Sequence, residues 1–155
     1  MPGLCTLTQM YPDVLLLNCT YKSNKLDLPL LHITGKTGHG GIYTSAFIFM
    51  AVEMAVWYKC ALHTLKKHIH IGCTPVTILT DQDLGLALAV ANTFTPPGTT
   101  HLLCQWHIMK NIQSNCQEWL GKMWYDAFMK VWRDKVLYAP SAAAARCVLA
   151  VLDAK

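Results

Sequence analysis

Asp81 and Asp83 stand one residue apart, directly after a short apolar run from Val76 to Thr80. Two carboxylates a few ångströms apart can hold magnesium, a hard cation that prefers oxygen. A pair of such ions activates a water and steadies the leaving oxygen in phosphodiester cleavage. Another polar residue closes a longer apolar run: Asn18 follows Val14-Leu15-Leu16-Leu17. The carboxyl end of a central strand is where open α/β sheets keep their chemistry. Asn18 is therefore either the seat of a site or the vacant seat of one. An amide is neutral and offers one oxygen, so it lacks the charge and the second set of lone pairs that a hard cation draws from a carboxylate. Asp13 cannot stand in for it. It lies five strand residues away, roughly 16 Å at about 3.3 Å per residue, and odd spacing puts it on the opposite face. Cys104-Gln105-Trp106-His107 carries a Cys and a His at metal-ligand spacing. That is two of the four ligands of a zinc site, which Cys73, His101 and Cys116 could complete, but a structural thiol and a hydrogen-bonded imidazole are the simpler reading.

The elements that must hold these residues can be read from apolar periodicity. Val14–Leu17 is a strand buried on both faces. A polar turn at Lys22-Ser23-Asn24-Lys25 leads to a second strand, Leu28–Thr34, with Pro29 near its start, where a missing N–H is tolerated. Glycines 35, 38, 40 and 41 make a tight turn into a third strand, Ile42–Met50. These short connections imply antiparallel pairing. The period then changes to helical, with Met54, Tyr58, Leu62, Leu65 and Ile69 on one face and His63, Lys66, Lys67, His68 and His70 on a solvated one. Val76–Thr80 is a fourth strand, and a helix follows from Leu84, for which Asp81 can serve as N-cap, closed by Pro96-Pro97-Gly98. Thr100–Cys104 is a fifth strand. From Trp106 onward a long helical stripe runs past Gly121, a point where it can bend. Trp106, Trp119, Trp124 and Trp132 fall on it at the spacing of core residues. Ser141 can cap a last, alanine-rich helix. Met1 to Gln9 carries no strong pattern and reads as the tail of an upstream element.

The order is β-β-β-α-β-α-β-α, three antiparallel strands and then β/α alternation, which is the ribonuclease H-like arrangement. In it the ends of the first and fourth strands lie side by side, which sets Asn18 beside Asp81. The chain is 155 residues long, enough for one domain with a real core. It is 53% hydrophobic and 14% charged, with mean hydropathy +0.27, against about 25% charge in a typical soluble domain. The longest apolar stretch, Ala46 to Val52, stops at Glu53, well short of the roughly 20 residues of a membrane span. No basic start precedes an apolar run, so no signal peptide is expected. Seven cysteines at irregular spacing fit reduced thiols in an intracellular protein. A net charge of +4 is compatible with nucleic acid, but no dense run of Lys or Arg makes a patch.

Several segments together resemble one family. Tyr11 to Asn24, YPDVLLLNCTYKSN, is similar to the YPDVLLLDATYKTN signature of Mutator-like element (MULE) transposases, and Leu28-Pro29-Leu30-Leu31-His32-Ile33 continues the match. Glu53, Tyr58, Leu62 and Leu65 fit the family's helix pattern, with Cys60 where a Trp is usual. Thr80-Asp81-Gln82-Asp83-Leu84-Gly85-Leu86 resembles TDRDLAL, and His101 to Asn111 resembles HLLCRWHINKN, in which the Cys-x-x-His pair of Cys104 and His107 recurs. The blocks keep the family's order over residues 11–111.

The resemblance implies a transposase catalytic domain of the DDE type, with DNA as substrate and magnesium as cofactor. Under it, Asp81 is the retained acid, Asn18 takes the place of the first catalytic aspartate, and Ala142, after Pro140-Ser141, falls at the position of the third acid. Asp81 and Asp83 are what remains to hold magnesium, and no bound ion is expected in this chain. Apart from the resemblance, Lys110, Lys122, Lys130, Arg133 and Lys135 could touch phosphate, though scattered lysines usually just solvate a helix. The expected organisation is an upstream remnant at 1–10, a ribonuclease H-like core at 11–111, and a helical extension at 112–155 that is cut short. The first reading is a degenerate transposase domain, nuclear or otherwise intracellular, partnered by DNA and with room for self-association. The second is a non-catalytic DNA- or protein-binding regulator derived from a transposase. A third is an active nuclease using Asp81 and Asp83 alone.

Overall fold

The computed structural model describes residues 4–21, 24–94 and 98–146. The turn expected at Lys22-Ser23 and the helix stop at Pro96-Pro97 lie outside them. The chain divides into two compact units, Met1–Ile108 and Met109–Lys155.

The first unit is built on a five-stranded sheet of order β3-β2-β1-β4-β5, comprising β1 (Val14–Thr20), β2 (Leu30–Lys36), β3 (Ile42–Phe49), β4 (Thr77–Thr80) and β5 (Thr100–Leu103). β1 pairs with β2 and β2 with β3 antiparallel, while β1–β4 and β4–β5 are parallel. This is the ribonuclease H-like mixed sheet anticipated from the order of elements. The antiparallel half follows from its short turns. The parallel half follows from helical crossovers, α2 (Ala55–His68) before β4 and α3 (Leu84–Thr93) before β5.

One sheet face carries the core. Leu15 and Leu17 of β1, Leu31 and Ile33 of β2 and Ile78 of β4 are buried there against Tyr58, Leu62 and Leu65 of α2 and Leu86, Ala89 and Val90 of α3. Each fully buried aliphatic side chain contributes roughly 1.5–3 kcal/mol relative to exposure. β1 is not buried evenly on both faces: Leu15 and Leu17 are enclosed, whereas Leu16 and Asn18 are half-buried. The run of aliphatics thus serves one core face and one partly open face. At Gly35 of β2, a Cβ would lie 2.1 Å from the Tyr43 ring. The bare backbone lets that ring cross the strand and donate from its hydroxyl to the Tyr11 carbonyl at 2.7 Å.

One local expectation fails, at His70, and one segment without a sequence pattern takes on structure. Residues 4–10, which carry no sequence pattern, form a short helix α1 (Leu4–Met10). The Thr8 hydroxyl donates to that of Ser45 on β3 at 2.8 Å, so a tertiary contact helps hold a segment with weak propensity. His70 does not share the solvated face of α2 with His63 and His68. It sits past the helix end, 2% exposed, with Nδ1 3.6 Å from the Cys73 sulfur. Burial lowers its pKa, so the ring is neutral.

α4 (Gln105–Val131) leaves β5 and continues into the second unit. It is interrupted at Gly121 (φ 66°, ψ 161°), a backbone region open essentially to glycine alone. A π-helical turn, Trp132–Leu137, follows. The tryptophans of this stretch are not core residues as their spacing implied: Trp106, Trp119 and Trp124 are exposed and Trp132 is half-buried. Ser141 does cap the helical residues 142–146, its hydroxyl accepting from the Ala144 N–H at 3.2 Å.

Candidate active site

The parallel β1–β4 ladder pairs Val14 with Thr77, Leu15 with Ile78 and Leu16 with Leu79. Carried on by two residues past its last pair, this register would set Asn18 opposite Asp81, one strand spacing away, about 4.8 Å. The observed β1–β4 pairing ends at Leu16–Leu79, and β4 itself ends at Thr80, one residue before Asp81. β1 does not give out at Asn18, however. Its pairing with β2 continues to Cys19–Leu31 and Thr20–Leu30, and Asn18 itself faces His32. The His32 ring stacks on Phe47 at 4.4 Å, and its Nε2 bonds the Thr44 hydroxyl. Phe47, His32 and Asn18 thus stand in a row across three strands.

The acids have backbone work. Asp83, not Asp81, is the N-cap of α3: its Oδ1 accepts from the Leu86 N–H at 2.6 Å. Asp81 Oδ1 accepts from the Asp83 N–H at 3.2 Å, shaping the turn before the helix. The reason is local. An acid three residues before a free helix N–H reaches it readily, and one five residues before cannot. Asp83 accordingly points one oxygen into its helix.

A third acid reaches this end of the sheet that the sequence did not single out for it. Glu53 follows β3, which runs parallel to β1 through their shared partner β2, so the chain leaving β3 returns to the same end as Asn18. Glu53 Oε1 accepts from the Cys19 thiol at 3.4 Å. Burial, with the charges of Glu53 and Asp81 adding to it, pushes the Cys19 pKa up to about 11. Cys19 is a neutral thiol at pH 7 and no nucleophile. The Tyr58 hydroxyl lies beside it, enclosed. Burial, and then the Cys19 thiol and nearby acids, drive that hydroxyl's pKa well above the usual phenol range.

The remaining expected site residues do not join the tips into a metal cage. Among the described residues, no three His, Cys, Asp or Glu side chains converge to hold an ion. Cys104 begins at the end of β5, its N–H donating to the Thr80 carbonyl at 2.6 Å, and its own carbonyl starts α4 by accepting from Ile108. His107 packs edge-on against Trp106, with a buried Nδ1 that lacks a hydrogen-bond partner. Two of the candidate partners of this pair are engaged elsewhere. His101 Nε2 bonds the Thr80 hydroxyl at 2.8 Å, and Cys73 lies against His70. Lys110, Lys122 and Ala142 belong to the second unit and are exposed. An alanine at 142 brings no ligand of its own.

The profile of the MULE transposase domain matches residues 14–111. The chain belongs to the MULE transposase domain family. Its match begins at β1 and ends in the first turns of α4, so it takes in both strand tips. Among curated proteins, this MULE domain is 34% identical over 115 residues to Protein FAR1-RELATED SEQUENCE 5 of Arabidopsis thaliana, covering 72% of this chain and 13% of that protein. It is 27% identical over 120 residues to Protein FAR1-RELATED SEQUENCE 4 of the same plant, covering 77% of this chain and 16% of the relative. The chain thus spans less than a fifth of the length of these relatives. Among solved structures, the HTLV-2 integrase catalytic core domain in complex with magnesium (dimeric form) aligns over 90% of this chain and 84% of its own. The TM-score is 0.41 and the sequence identity 13%. No helix among the described residues is long and apolar enough to cross a membrane.

Proposed function

We propose that this chain is a transposase-derived domain that keeps the MULE fold without its cleavage chemistry, and whose remaining role is binding in the nucleus, with DNA as the partner. The observation that carries this reading is Asn18, a neutral amide near the carboxyl end of β1, the strand that pairs parallel with the one leading to Asp81. A magnesium pair in a nuclease needs charged oxygens from several sides. At these tips the donor set does not fit it: an amide at 18, one carboxylate at 81 already bonded to backbone, and a second at 83 turned into its helix. Glu53 supplies a third acid, but it is engaged by the Cys19 thiol.

The test is nicking of supercoiled plasmid by the purified chain, with and without magnesium, beside the Asp81→Ala variant. The expected result is no magnesium-dependent nicking by either protein. Nicking by the wild type that disappears in Asp81→Ala would overturn the reading. A gel-shift titration with the same plasmid, repeated at rising salt, tests the binding half. Affinity that falls with salt supports DNA as partner, and no shift at low salt removes it.

A further inference from the structure

α3 is an uncommon helix for a protein surface. Its ten residues, Leu84–Thr93, include no charged side chain, and a helix apolar all round is normally covered on every side. Here one side is covered. Leu86, Ala89, Val90 and Thr93 are buried, whereas Leu84 is 85% exposed and Leu88 56%. Those two leucines stand one turn apart and make an outward apolar stripe.

α2 runs beside α3 in the same direction. At their first turns the two come close: a Cβ on Gly85 would lie 3.3 Å from the Ala55 backbone nitrogen. At their last turns the Lys66 ammonium donates to the Thr93 carbonyl at 2.9 Å and lies over the Phe94 ring. Between these contacts opens a groove of about 180 Å³, lined by Ala55, Val56, Lys59, Leu88, Ala89 and Asn92. Two alanines keep its floor low, and Val56, 71% exposed, stands on the wall opposite Leu88. α3 is roughly 15 Å long at 1.5 Å per residue. That suits a partner helix of about three turns, with apolar anchors at i, i+3 or i+4, and i+7.

The rim has one sign. α2 holds Lys59, His63, Lys66, Lys67 and His68 and no acid. α3 adds no charge, and Lys59 stands exposed at the groove itself. Apolar walls beside an unbalanced lysine complement a segment that is apolar on one face and acidic next to it. A phosphate backbone would satisfy the lysine but set nothing against Leu84, Leu88 and Val56.

We propose that an acidic amphipathic helix of a partner protein docks between α2 and α3, its apolar anchors seated between Val56 and Leu88 and a carboxylate paired with Lys59. The inference stands apart from the proposed loss of cleavage and from DNA binding, neither of which uses this groove.

Fluorescence anisotropy with the full 155-residue chain reads it. The probe is a labelled helical peptide of about fifteen residues, with leucines on one face and glutamates beside them. Its counterpart carries lysine in place of every glutamate. The acidic peptide is expected to bind saturably and the basic one not to bind. Leu88→Ala should weaken the acidic peptide about tenfold, by loss of one wall. Lys59→Glu should weaken it by at least about tenfold and let the basic peptide bind. Both positions are exposed, and far-UV circular dichroism checks that each variant keeps its helices. Should Leu88→Ala lose them, Val56→Ala tests the opposite wall. An acidic peptide that does not bind overturns the inference. So does equal binding of both peptides, binding indifferent to Leu88→Ala and Lys59→Glu, or duplex DNA that competes through Lys59. A chain that self-associates through Leu88, read by sedimentation velocity, overturns it too, by assigning the groove to a second copy.

Discussion

Asn18→Asp is the most informative single change. With the β1–β4 register continued past Leu16–Leu79, it puts a carboxylate about 5 Å from Asp81, one strand spacing away. Two unit charges at that separation repel by about 3 kcal/mol at an effective dielectric constant near 20. Both positions are half-buried, so solvent screening reduces the penalty to roughly 1–2 kcal/mol. For a chain of this size that lowers the melting temperature by about 3–6 °C. The sign with pH is fixed. The penalty is felt where both carboxylates are charged, so the variant is less stable than wild type at pH 7 and converges on it as acid protonates the pair. Asn18 does not titrate, so the wild type lacks this term. Magnesium should recover part of the loss in the variant alone, about 1.4 kcal/mol at ten times its dissociation constant. Differential scanning calorimetry between pH 4 and 7, with and without magnesium, reads all of this. A variant that melts with the wild type at every pH, and ignores magnesium, would show that the two side chains are not neighbours. The reasoning about a disabled metal seat would then fall.

Asp83→Ala should cost about 1 kcal/mol through loss of the α3 cap, while Asp83→Asn should cost a few tenths; equal losses in thermal melts would mean the charge matters and not the cap. Gly35→Ala must push the Tyr43 ring away and break its bond to Tyr11; a loss of roughly 2–3 kcal/mol by urea unfolding is expected from these combined core effects, and a loss below about 0.5 kcal/mol would show that the ring yields freely. Cys19, with its pKa near 11, should alkylate with a midpoint near that value when followed site by site in mass spectra. Its folded pKa lies above that of an unfolded thiol, so its contribution to stability is complete below about pH 8.5 and declines as pH climbs toward 11. Alkylation titrating near pH 8.5 would contradict the buried thiol.

The strands were legible because each is an apolar run closed by turn residues, and the adjacency of β1 and β4 follows from the order of elements once three antiparallel strands precede the first helix. The end of β1 was not legible. Leu17 closes the apolar run, but β2 keeps pairing through Thr20, and backbone bonds carry no mark in the side chains. Glu53 was read as part of a helix pattern, and only the parallel relation of β3 to β1 brings it to the tips. Asp81 and Asp83 could not be told apart as caps, because either satisfies the composition rule and only the phase of α3 decides. His70 escaped because helical spacing extends past the residue at which the helix stops. The tryptophans of α4 misled for the opposite reason. Periodicity says which residues share a face, and nothing about what that face meets.

The place of β1 in the sheet has a consequence for biosynthesis. Its β2 edge is satisfied soon after it leaves the ribosome, whereas its other edge waits for β4, from Val14 to Thr77. At 5–20 residues per second that interval is roughly three to twelve seconds. During it an aliphatic strand presents unpaired N–H and C=O groups to every other nascent chain. A message cut short before β4 would yield a three-stranded sheet with this edge permanently bare, a product destined for aggregates or the proteasome rather than for a smaller folded protein.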